Sequence, residues 1–428
     1  MKSTPFQIVV IALFALFIVI GMVVLYFSKG DSSSRTNAVT ISLWGTVSPR
    51  LIAGVLNTVK PEDKGIKVNY VQHTPESFEQ NLIEALASSK GPDAIIISQD
   101  SILRFQSKIY PIPYKSLSER TFIDTYIYEA ELFLSPWGVI GVPFSIDPLV
   151  MYWNRDLFGN AGIAAPPKYW DEFYRLAEQL TVKDDQRKIE TSAVALGEFS
   201  NINNAKAILS ALAAQGGVAF TKRDDSSGRV GSSVQTTKLT NVLDFYTEFA
   251  NPVKAVYSWS RGMPNSQSAF ARGDVAVYFD MASQIGNIVD KNPNLDFDVT
   301  YFPNPRTTKT KITYGDVLAV SALRSSPNIS KAMQVAMLMG SEKGVNAWST
   351  LSGLPPVRRD LLAKKPGTAT GAIFYDSVFW ANGWLDPDAR STKVMFRDMV
   401  ENITSGWMTS SQAAGKFNTQ LNSLISGK

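Results

Sequence analysis

The chain has 428 residues, 45% of them hydrophobic and 11% aromatic, and a formal net charge of +4. That content can fill a sizeable core and two or three structural units, and no Lys/Arg-rich run points to nucleic acid or an anionic membrane surface. With no cysteine and a single histidine, His73, the chain has no disulfides, thiolate zinc sites or thiol nucleophiles, and His-based metal sites or triads are hard to build.

From the start of the chain, Phe6 to Phe27 is apolar apart from Gln7 and carries no charge. At about 1.5 Å per residue it reaches roughly 33 Å, enough for a bilayer core of about 30 Å. A transmembrane helix is therefore expected. A cleaved secretory signal has a shorter apolar core and a small-residue cleavage site, whereas this run leaves through Val23-Val24-Leu25-Tyr26-Phe27. Cysteine lipidation is excluded by composition. Lys2 and the amino terminus favour a cytoplasmic head at residues 1–5, with Ser28 to Asn37 as a flexible polar linker on the other side. The expectation is a single-pass protein of the cell membrane whose soluble part is extracytoplasmic.

After the linker, Val39 to Trp44 alternates like a strand and Leu51 to Val59 carries an apolar stripe at helical spacing. Ile66 to Val71 is predicted as a strand, Phe78 to Ser88 as a helix and Asp93 to Ile97 as a buried strand. Such alternation makes a parallel, doubly wound α/β sheet. Further on, Leu149 to Trp153 and Val275 to Phe279 read as strands, with another inside Thr310 to Ser321. Trp170 to Leu180, Asn204 to Ala214, Lys238 to Phe249, Ile329 to Leu338 and Ser411 to Ile425 read as helices, and Lys222 to Gly231 as a surface loop.

Three stretches then become specific: Val142-Pro143-Phe144-Ser145-Ile146-Asp147, Tyr152-Trp153-Asn154-Arg155-Asp156-Leu157-Phe158, and Ala161-Gly162-Ile163 followed by Pro166-Pro167-Lys168-Tyr169-Trp170-Asp171-Glu172-Phe173. Gly91-Pro92-Asp93, Phe270-Ala271-Arg272-Gly273-Asp274, Tyr301-Phe302-Pro303-Asn304-Pro305, Tyr314-Gly315-Asp316 and Gly353-Leu354-Pro355-Pro356 follow the same order. Together they resemble the extracellular solute-binding protein family that includes maltose-binding protein.

The resemblance implies a two-lobed periplasmic-binding-protein fold, each lobe a doubly wound, mainly parallel sheet, with residues 38–112 and 302–340 in lobe 1 and 113–301 and 341–428 in lobe 2. It also implies a monomeric receptor that takes a small polar ligand, a sugar or oligosaccharide, in its interlobe cleft and hands it to the transmembrane permease subunits of an ABC importer. No catalysis, cofactor or metal is implied. The chain has no nucleotide-binding Gly-rich loop, so energy must come from partner subunits.

A sugar cleft needs polar groups for hydroxyls and aromatic faces for the ring. By the resemblance, Trp44 and Thr46 follow the first strand at the cleft, with packing under the next helix as the alternative for Trp44. Asp100 lies beyond the buried strand, where a helix cap is the alternative. Asp147 matches an acidic ligand contact, and Trp153 either walls the cleft or packs in the core. Asn201 belongs to a polar cluster with Glu198 and Asn203. Asp280 and Ser283 follow a strand where relatives carry Gly-x-Trp, and Met281-Ala282-Ser283 in this chain removes a stacking platform. Asp316 replaces a commonly found glycine and brings a carboxylate. Trp380 and Trp384 are spaced as neighbours on one helix face, and would reach the cleft rim if they are not core.

Other classes remain open at this stage. A membrane-anchored carbohydrate-active enzyme would use paired carboxylates such as Asp100 and Asp147. A metal, polyamine or peptide could replace the sugar, although Tyr126 and Tyr128 do not make the tyrosine cluster of an iron binder.

Overall fold

The computed structural model describes residues 15–20, 22, 38–224 and 226–427. The expected head and linker, and all of the expected anchor except residues 15–20 and 22, lie outside the described residues. Among the described residues, no helix is long and apolar enough to cross a membrane.

Alternating burial makes β1 (Val39–Gly45), with Ile41 and Leu43 fully buried. It runs parallel to β2 (Ile66–Gln72) on one side and β3 (Ala94–Ser98) on the other. These follow the sequence expectation to within a residue. So does the helix Ala205–Gln215, whereas the helix expected from Phe78 starts three residues earlier, as Pro75–Ala87, where the Thr74 side chain accepts the Ser77 N–H. The last helix, Ser410–Ser426, opens on a reciprocal Thr409/Gln412 capping box.

The largest departure is β4. Its second half is legible, but the strand runs for 13 residues from Val142 to Asn154. Pro143 and Pro148 hide the first half from a sequence reading, because proline is rare inside sheets. Pro148 also marks where the strand changes partners. Val142 to Pro148 pair with β11 (Gly315–Ala322), and Leu149 to Trp153 pair with β9 (Val275–Met281). β4 thus belongs to both lobes and joins their sheets. Further strands are β5 (Val182–Lys183), β6 (Ile189–Val194), β7 (Thr221–Arg223), β8 (Val230–Ser232) and β10 (Phe297–Thr300), and Leu134–Ser135 and Gly138–Val139 make a separate short antiparallel pair. The order along the main sheet is β2-β1-β3-β11-β4-β9-β6-β5, with β10 also on β4.

This order corrects the expected mainly parallel sheets. β11 is antiparallel to both β3 and β4, and in the second lobe only β9 and β6 run parallel. The sheet is mixed because the chain returns to the first lobe as β11, against the direction of both of its neighbours.

Two hydrophobic cores follow this division. One gathers Ile41, Ile95, Phe122, Phe133, Phe144 and Val320 with Trp348, Val357 and Val378. The other gathers Met151, Phe173, Leu209, Tyr246, Phe279 and Phe302 with Phe396 and Phe417. Phe122 to Ile146 belong to the first of these cores, and Val345 to Val378 contribute to both, with Leu354 and Phe374 in the second. The chain changes lobe inside a continuous strand, where neither composition nor a Gly/Pro/Ser-rich linker announces the crossing.

The tract Lys222 to Gly231, expected as a loop, carries parts of the β7–β8 hairpin. Arg223 anchors that hairpin on the first lobe by donating to the carbonyls of Leu132 and Leu134.

Candidate functional site

A cavity of about 820 Å³ opens between the lobes. From the first lobe it is lined by Ser98 and Asp100, just past β3, and by Tyr314 and Asp316 at the start of β11. From the second it is lined by Asp280 and Met281 at the end of β9, by Gln284 just past it, and by the turn from Phe199 into the helix Ala205–Gln215. Lys393 and Arg397 come from the helix Ala389–Thr404. Strand ends meeting at a point where the chain order reverses are where open α/β sheets take ligands.

The loop that approaches the cavity from β6 is held by backbone geometry. Gly197 has φ +102°, and a Cβ there would meet the Ala250 nitrogen at 2.5 Å. Gly197→Ala is expected to destabilise the fold by about 1–3 kcal/mol, measured by urea denaturation. Asn204 adopts φ 52° at the helix start, and its amide donates to Asp280.

Lys206 sits in the first turn of that helix, with its side chain 15% exposed, and bridges two carboxylates. Its Nζ lies 3.1 Å from Asp100 Oδ2 and pairs closely with Asp386, whose side chain is 0% exposed. Burial works to lower the Lys206 ammonium, but the charges of Asp100 and Asp386 outweigh it and hold the group above its ordinary range. Tyr314 Oη donates to Asp100 Oδ1 at 3.2 Å, and Gln99 fixes the entry of β11 through Gly315 O and the Val317 N–H.

The other carboxylates are perturbed by burial. Asp316, at the cavity wall, is pushed up to about 7 by burial and then by Asp100 and Asp147. Asp280, which accepts from Tyr278, Asn204 and the Met281 N–H, is likewise raised to about 7 by burial. Asp147 stands opposite Asp316 across the β4–β11 pair and accepts the Ser283 N–H at 3.0 Å; burial lifts it to about 6. Asp147, Ser283 and Asp316 line a smaller adjoining cavity of about 370 Å³ with Val47 and Leu351.

Of the residues singled out in the sequence, Asp100, Asp280 and Asp316 thus line the main cavity, and Asp147 and Ser283 the adjoining one. The others lie elsewhere. Trp44 packs against His73 with the rings tilted and their centroids 4.4 Å apart, and Thr46 accepts from Gln72 through its carbonyl. Trp153 packs on Phe158, far along β4 from the cavity. Asn201 is a brace: it donates to Ser260 O and Met263 O and accepts from Trp259 Nε1. Trp380 packs on Tyr301 under Lys311. Trp384 is core, with Phe220 and Phe396 around it and its Nε1 on Ser210. The two tryptophans do not share a helix, because the helix Ala369–Val378 ends before them. Among the described residues, no group of three or more His, Cys, Asp or Glu is placed to hold a metal ion.

Residues 57–345 match the bacterial extracellular solute-binding protein family. The chain belongs to that family. Within it, one relative is the diacetylchitobiose binding protein DasA of Streptomyces coelicolor, 23% identical over 247 residues. That match covers 57% of this chain and 53% of DasA. The fold is that of a solute binding protein of Thermotoga lettingae solved with α-D-tagatose, at TM-score 0.69, with 18% identity and coverage of 90% of this chain and 100% of that one. It is also that of the cyclic α-maltosyl-1,6-maltose binding protein of Arthrobacter globiformis, at TM-score 0.72, with 14% identity and coverage of 91% and 100%.

Sequence reading of this solute-binding protein missed Lys206, Asn204, Gln284, Lys393 and Arg397. Each looks like an ordinary polar residue on a helix or turn. The one available signal was position: Lys206 and Gln284 lie within a few residues of a strand end or of the polar cluster Glu198 to Asn203.

Proposed function

We propose that this solute-binding protein is the saccharide receptor of an ABC importer, and that the interlobe cavity is its ligand site. The observation that carries this is the lining itself. Carboxylates, amides, an ammonium and a guanidinium converge from both lobes on a space within the usual range of about 300–1,000 Å³ for small-ligand sites. Such groups suit a ligand made of hydroxyls. Saccharides named for DasA and for the structural neighbours support the same cargo. Asp100, Asp147, Asp280, Ser283 and Asp316 are the proposed ligand contacts, joined by Asn203, Lys206 and Gln284.

The proposed cycle is hinge closure. Ligand favours the state in which Asp100 of the first lobe and Lys206 of the second face one another, and the closed form docks on the permease. We take the lobe limits to follow the two cores, with β4 as the first crossing. We further propose that Phe6 to Phe27 tethers the receptor, as a monomer, to the extracytoplasmic side of the cell membrane, and that it carries out no chemistry on its ligand.

A panel of mono- and oligosaccharides tested by thermal shift is expected to raise the melting temperature. At a ligand concentration of a hundred times Kd the gain is about 2.7 kcal/mol. The saccharide should be recovered intact. Hydrolysed product would favour an enzyme, and stabilisation by metals or peptides alone would overturn the saccharide reading.

A further inference from the structure

The cavity carries more negative charge than its own cations offset. Lys206 is committed to Asp100 and Asp386, and Arg397 at the rim is paired with Asp398 at 2.9 Å. Asp147, Asp280 and Asp316 have no Lys or Arg partner among the described residues. Lys393 lines the rim, and only the more distant charge of Lys206 acts on Asp316.

Behind this group lies Glu129, 2% exposed, whose Oε2 accepts the Gly383 N–H while its Oε1 has no hydrogen-bond partner. It is close enough to Asp100 and Asp316 to feel the charge of both. A neutral sugar filling the cleft would leave Asp147, Asp280 and Asp316 without a cation, so that they stay buried only by holding protons. Burying unpaired charge is costly, and a cation held among them would offset that cost. Neither Lys393 nor Arg397, both at the rim, pairs with these carboxylates, so a cation carried by the ligand would supply the charge they lack.

We propose that the cleft selects a saccharide bearing a free, protonated amine, with Asp316 and Asp280 as the acceptors of its ammonium. This rests on the saccharide reading above and narrows it. Binding proceeds with release of protons. Burial holds Asp280 and Asp316 at the cavity wall, and Asp147 beside them, above the usual carboxylate range, so near neutral pH these three retain part of their protons, with Tyr314, Tyr278, Lys206 and Asp100 as their charged or titratable neighbours. An arriving ammonium displaces those protons to solvent.

The test is calorimetric titration of the full chain near neutral pH with chitobiose, which carries two amines, with its diacetylated form, and with cellobiose, which has hydroxyls instead. Chitobiose is expected to bind at least about tenfold tighter than either neutral disaccharide, which is about 1.4 kcal/mol. Its apparent enthalpy should change with the ionisation enthalpy of the buffer, showing proton release. Asp316→Asn should bring the preference close to unity, and Asp280→Asn should do the same if Asp316→Asn fails to fold. Equal or tighter binding of diacetylchitobiose or cellobiose would overturn the amine inference and leave the saccharide reading standing. Binding of a linear diamine but no saccharide would overturn the saccharide reading and, with it, the amino-saccharide proposal, leaving only an ammonium site. Binding of none of them would overturn both.

Discussion

Replacing Lys206 by methionine should destabilise the chain by about 3–5 kcal/mol at neutral pH, because it leaves Asp100 and Asp386 facing one another without their shared cation. Asp386 is the more demanding partner. Its side chain is fully buried, and burial already pushes its carboxyl up despite Lys206 and the Thr392 hydroxyl it accepts. The deficit should shrink on acidification, as the orphaned acids take up protons. The double variant with Asp386→Asn should recover part of the loss, giving a coupling energy measurable by urea denaturation of the four species. A loss under about 1 kcal/mol, unchanged by pH, would mean that the bridge is not the restraint its burial implies.

The second large effect is on the pH dependence of stability. Glu129 is raised to about 8, first by burial and then by Asp100 and Asp316, with the Gly383 N–H working the other way. Its folded value lies above its unfolded one, so the folded state binds the extra proton. Its contribution is complete below the unfolded value of 4.5 and is lost as pH rises through about 8. The chain is therefore expected to lose about 1.4 kcal/mol per pH unit from this group between roughly pH 5 and 8. Asp280 and Asp316 act in the same direction up to about 7. Glu129→Gln keeps an acceptor for Gly383 and removes the titration. Between pH 6 and 8 the variant should gain about 2 kcal/mol relative to the parent. Parallel stability curves for the two proteins would show that Glu129 stays ionised.

Much of the scaffold was legible because it is local. β1, β2, β3 and their helices announce themselves by period, and the family motifs lie in order along the chain. What could not be read is where distant segments meet. Lys206 is 106 positions from Asp100 and 180 from Asp386, so nothing near it marks it as a bridge. The aromatic candidates lie away from the cavity for a related reason. Trp153, Trp380 and Trp384 were judged by residue type, and a large ring satisfies a core as readily as a cleft. The carboxylates line the cavities because they sit at or near strand ends, which converge there. Asp147 and Asp316 prove to be cross-strand neighbours, a pairing that needs the register of β4 against β11.

That register has a consequence for how the protein is made. β11 fills the gap between β3 and β4, yet it begins at Gly315, after every strand of the second lobe. A nascent chain emerging from the ribosome cannot finish its first lobe before most of the second has been synthesised. The early strands must wait with open edges, and closing them requires contacts that span some two hundred residues, the kind that slow folding and expose intermediates to aggregation. The two halves of this receptor are therefore assembled together, and not one after the other.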